Sequence, residues 1–169
     1  FAGISTGTLD GYSSALFYTI TYVLMATGSL GFVILLSKKG FESDQIDDFK
    51  GLSRRNPWFA MIMMFILLSM AGIPPWVGFF AKLDVFTAVV DAGFSGFAIV
   101  MVLASVIGAY YYLRIIWYMY FEKAENTAPI KISNDFKLVM SINGLLVLVL
   151  GGFPEWLMSF CTRVISLTV

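Results

Sequence analysis

Four stretches of this chain carry no Asp, Glu, Lys or Arg. They are residues 11–37, 56–81, 92–113 and 138–154, which is 27, 26, 22 and 17 positions in turn. An α-helix rises about 1.5 Å per residue, so about 20 apolar residues cross a 30 Å hydrocarbon layer. Runs of this length predict an all-α, polytopic bundle of transmembrane helices. Composition agrees: 59% of the residues are apolar, 13% are charged and mean hydropathy is +0.83. A soluble domain is roughly 25% charged. Eleven basic and eleven acidic residues balance, which removes the electrostatic case for a nucleic-acid partner.

The residue inventory excludes several chemistries. With no histidine and a single cysteine, Cys161, the chain holds neither an internal disulfide nor a thiolate cluster, and the case for zinc, haem or non-haem iron is weak. No metal or cofactor site is expected in this chain. Cys161 reads as a small core or lipid-facing residue. The sequence opens on Phe1 without a basic leader, and is expected to be a piece of something longer. No phosphate loop, dinucleotide fingerprint or nucleophile motif is present.

Residues 1–169 read as one membrane domain with about five spans: 12–37, 57–73, 76–91, 95–120 and 138–157. The first holds Gly28 and Gly31, either close-approach positions between helices or glycines without a special role. A polar link follows, with Lys38, Lys39, Glu42, Asp44, Asp47, Asp48, Lys50, Arg54 and Arg55. Part of it is expected to form a short surface helix, and Pro57 suits a helix first turn. The second span ends in Pro74-Pro75, which breaks the helix, because proline lacks the N–H and pushes its predecessor out of helical geometry. The short third span after it has the pattern of an interrupted transport helix. The fourth ends in Tyr110, Tyr111, Tyr112, Arg114, Trp117, Tyr118 and Tyr120, which reads as an interfacial aromatic belt.

Lys82 is the sharpest local signal. It follows the 26-residue charge-free run and lies seven residues past Pro75. An ammonium away from bulk water is costly unless paired or hydrated. It is read either as a proton-relay residue in a polar cavity or as a lysine snorkelling to the interface. Asp84, two residues on, is off its helix face and is a candidate modulator; Asp91 marks a boundary. Arg114 is a candidate secondary polar site. Tyr18, Thr19, Thr21, Tyr22 and Thr27 give the first span a polar stripe, which either holds water or bonds to the helix backbone.

The segment at 71–82, Ala-Gly-Ile-Pro-Pro-Trp-Val-Gly-Phe-Phe-Ala-Lys, resembles the antiporter-like membrane subunits of respiratory complex I. Gly51 to Pro57, the Tyr110-Tyr111-Tyr112-Leu113-Arg114 run and residues 145–154 extend the likeness over essentially the whole chain. The resemblance implies a subunit of about fourteen helices with two inverted five-helix repeats. Each repeat has a broken helix, and Lys82 falls on the proton-channel lysine of the second. It implies proton translocation coupled to quinone reduction in a bacterial inner membrane. The implied partners are the other membrane subunits, lipid, protons and internal water. NADH, FMN, iron–sulfur clusters and quinone belong to other subunits on this reading, so the fragment alone is not expected to be catalytic. A multi-subunit sodium/proton antiporter shares the pattern, and a structural membrane-anchoring fragment is the remaining alternative. Counting lysines and arginines favours a cytoplasmic first link. The resemblance places the C-terminus in the periplasm and, with five spans, the first link beside it; the resemblance is preferred.

Overall fold

Long apolar runs must satisfy their backbone polar groups internally, and a helix does so within one segment. The structure, a computed structural model, describes residues 1–36, 46–123 and 133–168. Those residues form α1 (Ala2–Ser5), α2 (Leu9–Leu36), a 3-10 turn (Ile46–Phe49), α3 (Leu52–Arg55), α4 (Pro57–Ala71), α5 (Val77–Asp91), α6 (Ser95–Tyr120), α7 (Asn134–Gly152) and α8 (Pro154–Ser166). No strand occurs among them. Among the described residues three helices are long and apolar enough to cross a membrane: α2, α6 and α7. Lys38, Lys39, Glu42, Asp44, Pro129 and Lys131 lie outside the described residues.

The short helix expected in the first link is present as the 3-10 turn and α3. Its Phe49 and Leu52 are buried with Met119 of α6 in the core cluster. Pro57 stands in the first turn of α4, where its missing N–H is harmless. Gly28 and Gly31 are both close-approach positions. A methyl group on Gly28 would collide with the Asn143 carboxamide, and one on Gly31 would come within 2.6 Å of the Met140 sulfur.

The expected break at Pro74-Pro75 is present, and it begins two residues before the prolines. Gly72 adopts φ +83°, and its N–H donates to Leu68 O and Ser69 O at 3.1 and 3.0 Å. The Ile73 N–H also reaches Leu68 O, at 3.1 Å. A left-handed glycine with this bonding closes a helix C-terminus. Pro74 and Pro75 then occupy the turn, Trp76 packs its ring 4.6 Å from that of Phe65, and α5 starts at Val77.

The sequence leaves open whether the chain breaks or reverses between segments 57–73 and 76–91, and packing against α6 decides it. At one end of the bundle, Gly51 N–H donates to Tyr118 O at 3.1 Å, and the Trp58 indole donates to the Ser141 hydroxyl at 2.8 Å. At the other end, Val85 and Val89 of α5 cluster with Ala98 of α6, and Tyr18 of α2 packs against them. Ala98 and Tyr118 are about 30 Å apart along α6. So α4 lies against the second half of α6, and α5 carries on along its first half. The C-terminal ends of α2 and α6 and the N-terminal ends of α4 and α7 therefore lie at the same end of the bundle. Sequence patterning could not show this, because a Pro-Pro break is compatible with reversal or continuation.

The last expected span, 138–157, is shifted. Here α7 starts at Asn134, capped by the Ser133 hydroxyl accepting from Phe136 N–H, and stops at Gly152. Pro154 forces the stop, since Phe153 before it adopts φ −134°, ψ 58°, and α8 then begins with Pro154 in its first turn. Cys161 is a buried core residue of α8.

Candidate functional site

The junction of α4 and α5 positions Lys82. Gly78 presses against α4 so closely that any Cβ would strike Ser69 O, and its N–H donates to the Ser69 hydroxyl at 2.9 Å. One turn later comes Lys82. Helical side chains lean toward the helix N-terminus, so its stem runs back past Gly72, whose missing side chain leaves the room. A Cβ on Gly72 would meet the lysine stem at 3.0 Å and Nζ at 3.2 Å.

The ammonium ends on three oxygens. Nζ donates to Met70 O at 2.9 Å, Ala71 O at 3.2 Å and Ser105 Oγ of α6 at 2.8 Å. A helix leaves its last four carbonyls without intrahelical donors. In α4 those of Leu68 and Ser69 are taken by Gly72 and Ile73 N–H, and those of Met70 and Ala71 by Lys82. The partial negative charge of a helix C-terminus favours a cation. A half-helix end thus holds the lysine, and among the described residues no carboxylate does. Ser105 was not singled out in the sequence. Its available signal was that it is the one hydroxyl residue between Phe97 and Ala109; its meeting with a lysine 23 positions away is tertiary.

Lys82 and Ser105 line a half-open cavity of about 420 Å³, along with Tyr18, Tyr22, Met70 and Tyr112. The Tyr18 and Tyr22 rings stack at 6.1 Å. The tyrosines of the α2 stripe therefore face the cavity. Of its threonines only Thr19 lines the cavity, and the hydroxyls of Thr19, Thr21 and Thr27 all donate to carbonyls of their own helix, at 2.8, 2.9 and 2.8 Å.

The other sequence candidates are not brought to this site. Asp84 is half-buried on α5 and, among the described residues, makes no hydrogen bond or ion pair with Lys82. Asp91 ends α5. Arg114 is exposed and donates to the Tyr118 hydroxyl at 3.4 Å, with its guanidinium 5.6 Å from the ring centre. Nine residues past Ser105, it stands about 14 Å farther along α6.

An interrupted helix whose C-terminal carbonyls hold a lysine beside a cavity, among long apolar helices, makes this a polytopic helical membrane protein. The chain belongs to the family described as NADH:quinone oxidoreductase/Mrp antiporter, TM, which matches residues 1–108. It is 53% identical over 164 residues to NADH-quinone oxidoreductase subunit N of Thioalkalivibrio sulfidiphilus, covering 97% of this chain and 34% of that protein. The subunit of the same name from Thiobacillus denitrificans is 51% identical, with the same coverage of 97% and 34%. The chain thus spans about a third of the length of the curated relatives it matches. Among solved structures, it superposes on a chain of respiratory complex I from Thermus thermophilus with bound aureothin. The TM-score is 0.74 at 27% identity, covering 89% of this chain and 35% of that one. A chain of the membrane-bound sulfane sulfur reductase, an archaeal respiratory membrane complex, shares the fold with TM-score 0.80 at 23% identity, covering 93% and 32%.

Proposed function

We propose that this chain is a segment of the antiporter-like subunit N of a bacterial NADH-quinone oxidoreductase, in the inner membrane, and that it carries a proton channel centred on Lys82. The observation that carries this reading is the cage around the ammonium: three neutral oxygens, two of them from a helix break, beside a cavity. Lys82 gains and loses a proton as neighbouring charges change, with an acid outside this segment stabilising the cation. Desolvation and a removable counter-charge are the general means of making a lysine titrate. NADH, FMN, iron–sulfur clusters and quinone act in other subunits, which are its partners along with lipid and internal water.

In this reading α4 and α5 together supply one interrupted crossing, since each 15-residue helix reaches only about 22 Å. Lys50, Arg54, Arg55, Lys123 and Lys137 flank the two links that share one end, and basic flanks favour the cytoplasm. From that end α7 runs outward, so the charge count and the periplasmic C-terminus implied by the resemblance agree.

The sodium/proton antiporter reading shares the family, but the carbonyls at the end of α4, of the kind that coordinate sodium at an interrupted helix, are taken here by the Lys82 ammonium. The anchoring reading requires Lys82 to face lipid or headgroups, whereas its ammonium is held by α4 and α6. The test is Lys82→Met in the full-length subunit within the assembled complex, reconstituted into vesicles. Proton translocation should drop far more than subunit incorporation; unchanged translocation overturns the proposal.

A further inference from the structure

An ammonium has three N–H donors and no acceptor, whereas a neutral amine has two donors and one lone pair. The Lys82 cage offers three oxygens. It satisfies the cation completely, but after deprotonation one oxygen faces the lone pair. Met70 O and Ala71 O are carbonyls and only accept. The Ser105 hydroxyl both accepts and donates, so it alone among the three can bond the amine lone pair as well as an N–H.

A second, independent observation frees that hydroxyl for the task. Helical serines and threonines commonly spend their O–H on a carbonyl one turn back. Ser13, Thr19, Thr21, Thr27, Ser141 and Thr162 do so here. Among the described residues Ser105 makes no such bond and its one hydrogen bond is the one from Lys82, and the side chain borders the cavity. Its proton is available to point into that space.

We infer that Ser105 is the relay between Lys82 and water in the cavity. This rests on the reading of Lys82 as a proton site. In the outward step the Nζ–H bond to Ser105 breaks and a new Oγ–H bond forms. In concert, the proton previously on Oγ passes to a cavity water, which becomes hydronium and hands its charge along the water chain. The hydroxyl is left donating to the Nζ lone pair, while the remaining two N–H groups stay on Met70 O and Ala71 O. Both end states are fully bonded, and no atom but the proton moves appreciably. The inward step is the reverse, with hydronium giving its proton to Oγ as Oγ returns one to Nζ.

The experiment uses the assembled complex carrying Ser105→Ala, Ser105→Thr or Lys82→Met in the full-length subunit, reconstituted in vesicles. Subunit incorporation and NADH-driven proton translocation are measured for each. Ser105→Ala should incorporate normally and slow translocation about fivefold, the factor expected for one unmade hydrogen bond in the neutral state. Ser105→Thr, which keeps the hydroxyl, should restore most of it. If Ser105→Ala translocates normally while Lys82→Met is defective, the relay is overturned and the Lys82 reading stands. If the Ala and Thr variants are equally impaired, the position is structural and the relay is again overturned. Normal translocation by Lys82→Met overturns the underlying reading.

Discussion

The main-chain N–H of Gly78 donates to the Ser69 hydroxyl at 2.9 Å, across the break between α4 and α5. This one bond joins the first turn of α5 to the last turn of α4 and sets how far Lys82 stands from the free carbonyls. Removing the acceptor with Ser69→Ala leaves a buried N–H unpaired, which costs about 1–3 kcal/mol. Gly78→Ala drives a methyl group into Ser69 O and should be at least as damaging. Both should lower the thermal inactivation midpoint of the purified complex; an unchanged midpoint for Gly78→Ala contradicts the close approach.

The titrating role of Lys82 is separable from its charge. Arginine keeps the positive charge and does not deprotonate in proteins. Lys82→Arg should therefore incorporate better than Lys82→Met, because the carbonyls of Met70 and Ala71 keep a cationic donor, yet translocate as poorly. Proton uptake into vesicles, normalised to subunit content, measures both. Translocation by the Arg variant at the native rate means that a fixed charge suffices.

Gly72 should matter more to the break than either proline. Its φ of +83° costs an L-residue about 1–2 kcal/mol, and a Cβ would also press on the Lys82 stem. Gly72→Ala is expected to destabilise by that amount and to displace the ammonium. In Pro74→Ala/Pro75→Ala the Gly72 cap still ends α4, so the break should persist in shortened form. A structure of the double variant with one continuous helix from Pro57 to Asp91 refutes the assignment of the stop to Gly72.

Asn143 and Gly28 form a coupled pair between α7 and α2. The Asn143 amide donates to Leu24 O at 3.0 Å, while its buried Oδ1 has no hydrogen-bond partner among the described residues and faces the bare Cα of Gly28. A Cα–H to oxygen contact is a weak but recurrent feature of close helix pairs. Gly28→Ala should cost about 1–3 kcal/mol by overpacking against Asn143 and Ile66. Adding Asn143→Ala should recover part of it, because residues in contact are not additive. Thermal inactivation of the single and double variants gives the coupling; strict additivity excludes it.

Much was legible in the sequence because lipid imposes strong local rules. Charge-free runs marked α2, α4, α6 and the body of α7, and the boundaries 95–120 coincide with those of α6. Lys82 stood out because a charge in such surroundings needs partners. Its partners did not stand out. Two are main-chain oxygens, which every residue has, and the third is a serine on another helix. Asp84 was nominated for proximity in sequence, yet two positions along a helix turn a side chain away by about 200°.

The sequence alone determined that this chain is helical, apolar along most of its length, interrupted near Pro74 and Pro75, and provided with one lysine directly after a 26-residue uncharged run. Those are local properties, fixed by hydropathy, by proline's missing donor and by the cost of desolvating a charge. Only the tertiary structure decided that α5 continues along α6 instead of folding back along α4. It also decided that the ammonium is answered by a helix end and Ser105. Both outcomes depend on how helices pack, with Gly78 against Ser69 and α6 spanning the two halves, and packing joins residues that the sequence keeps far apart.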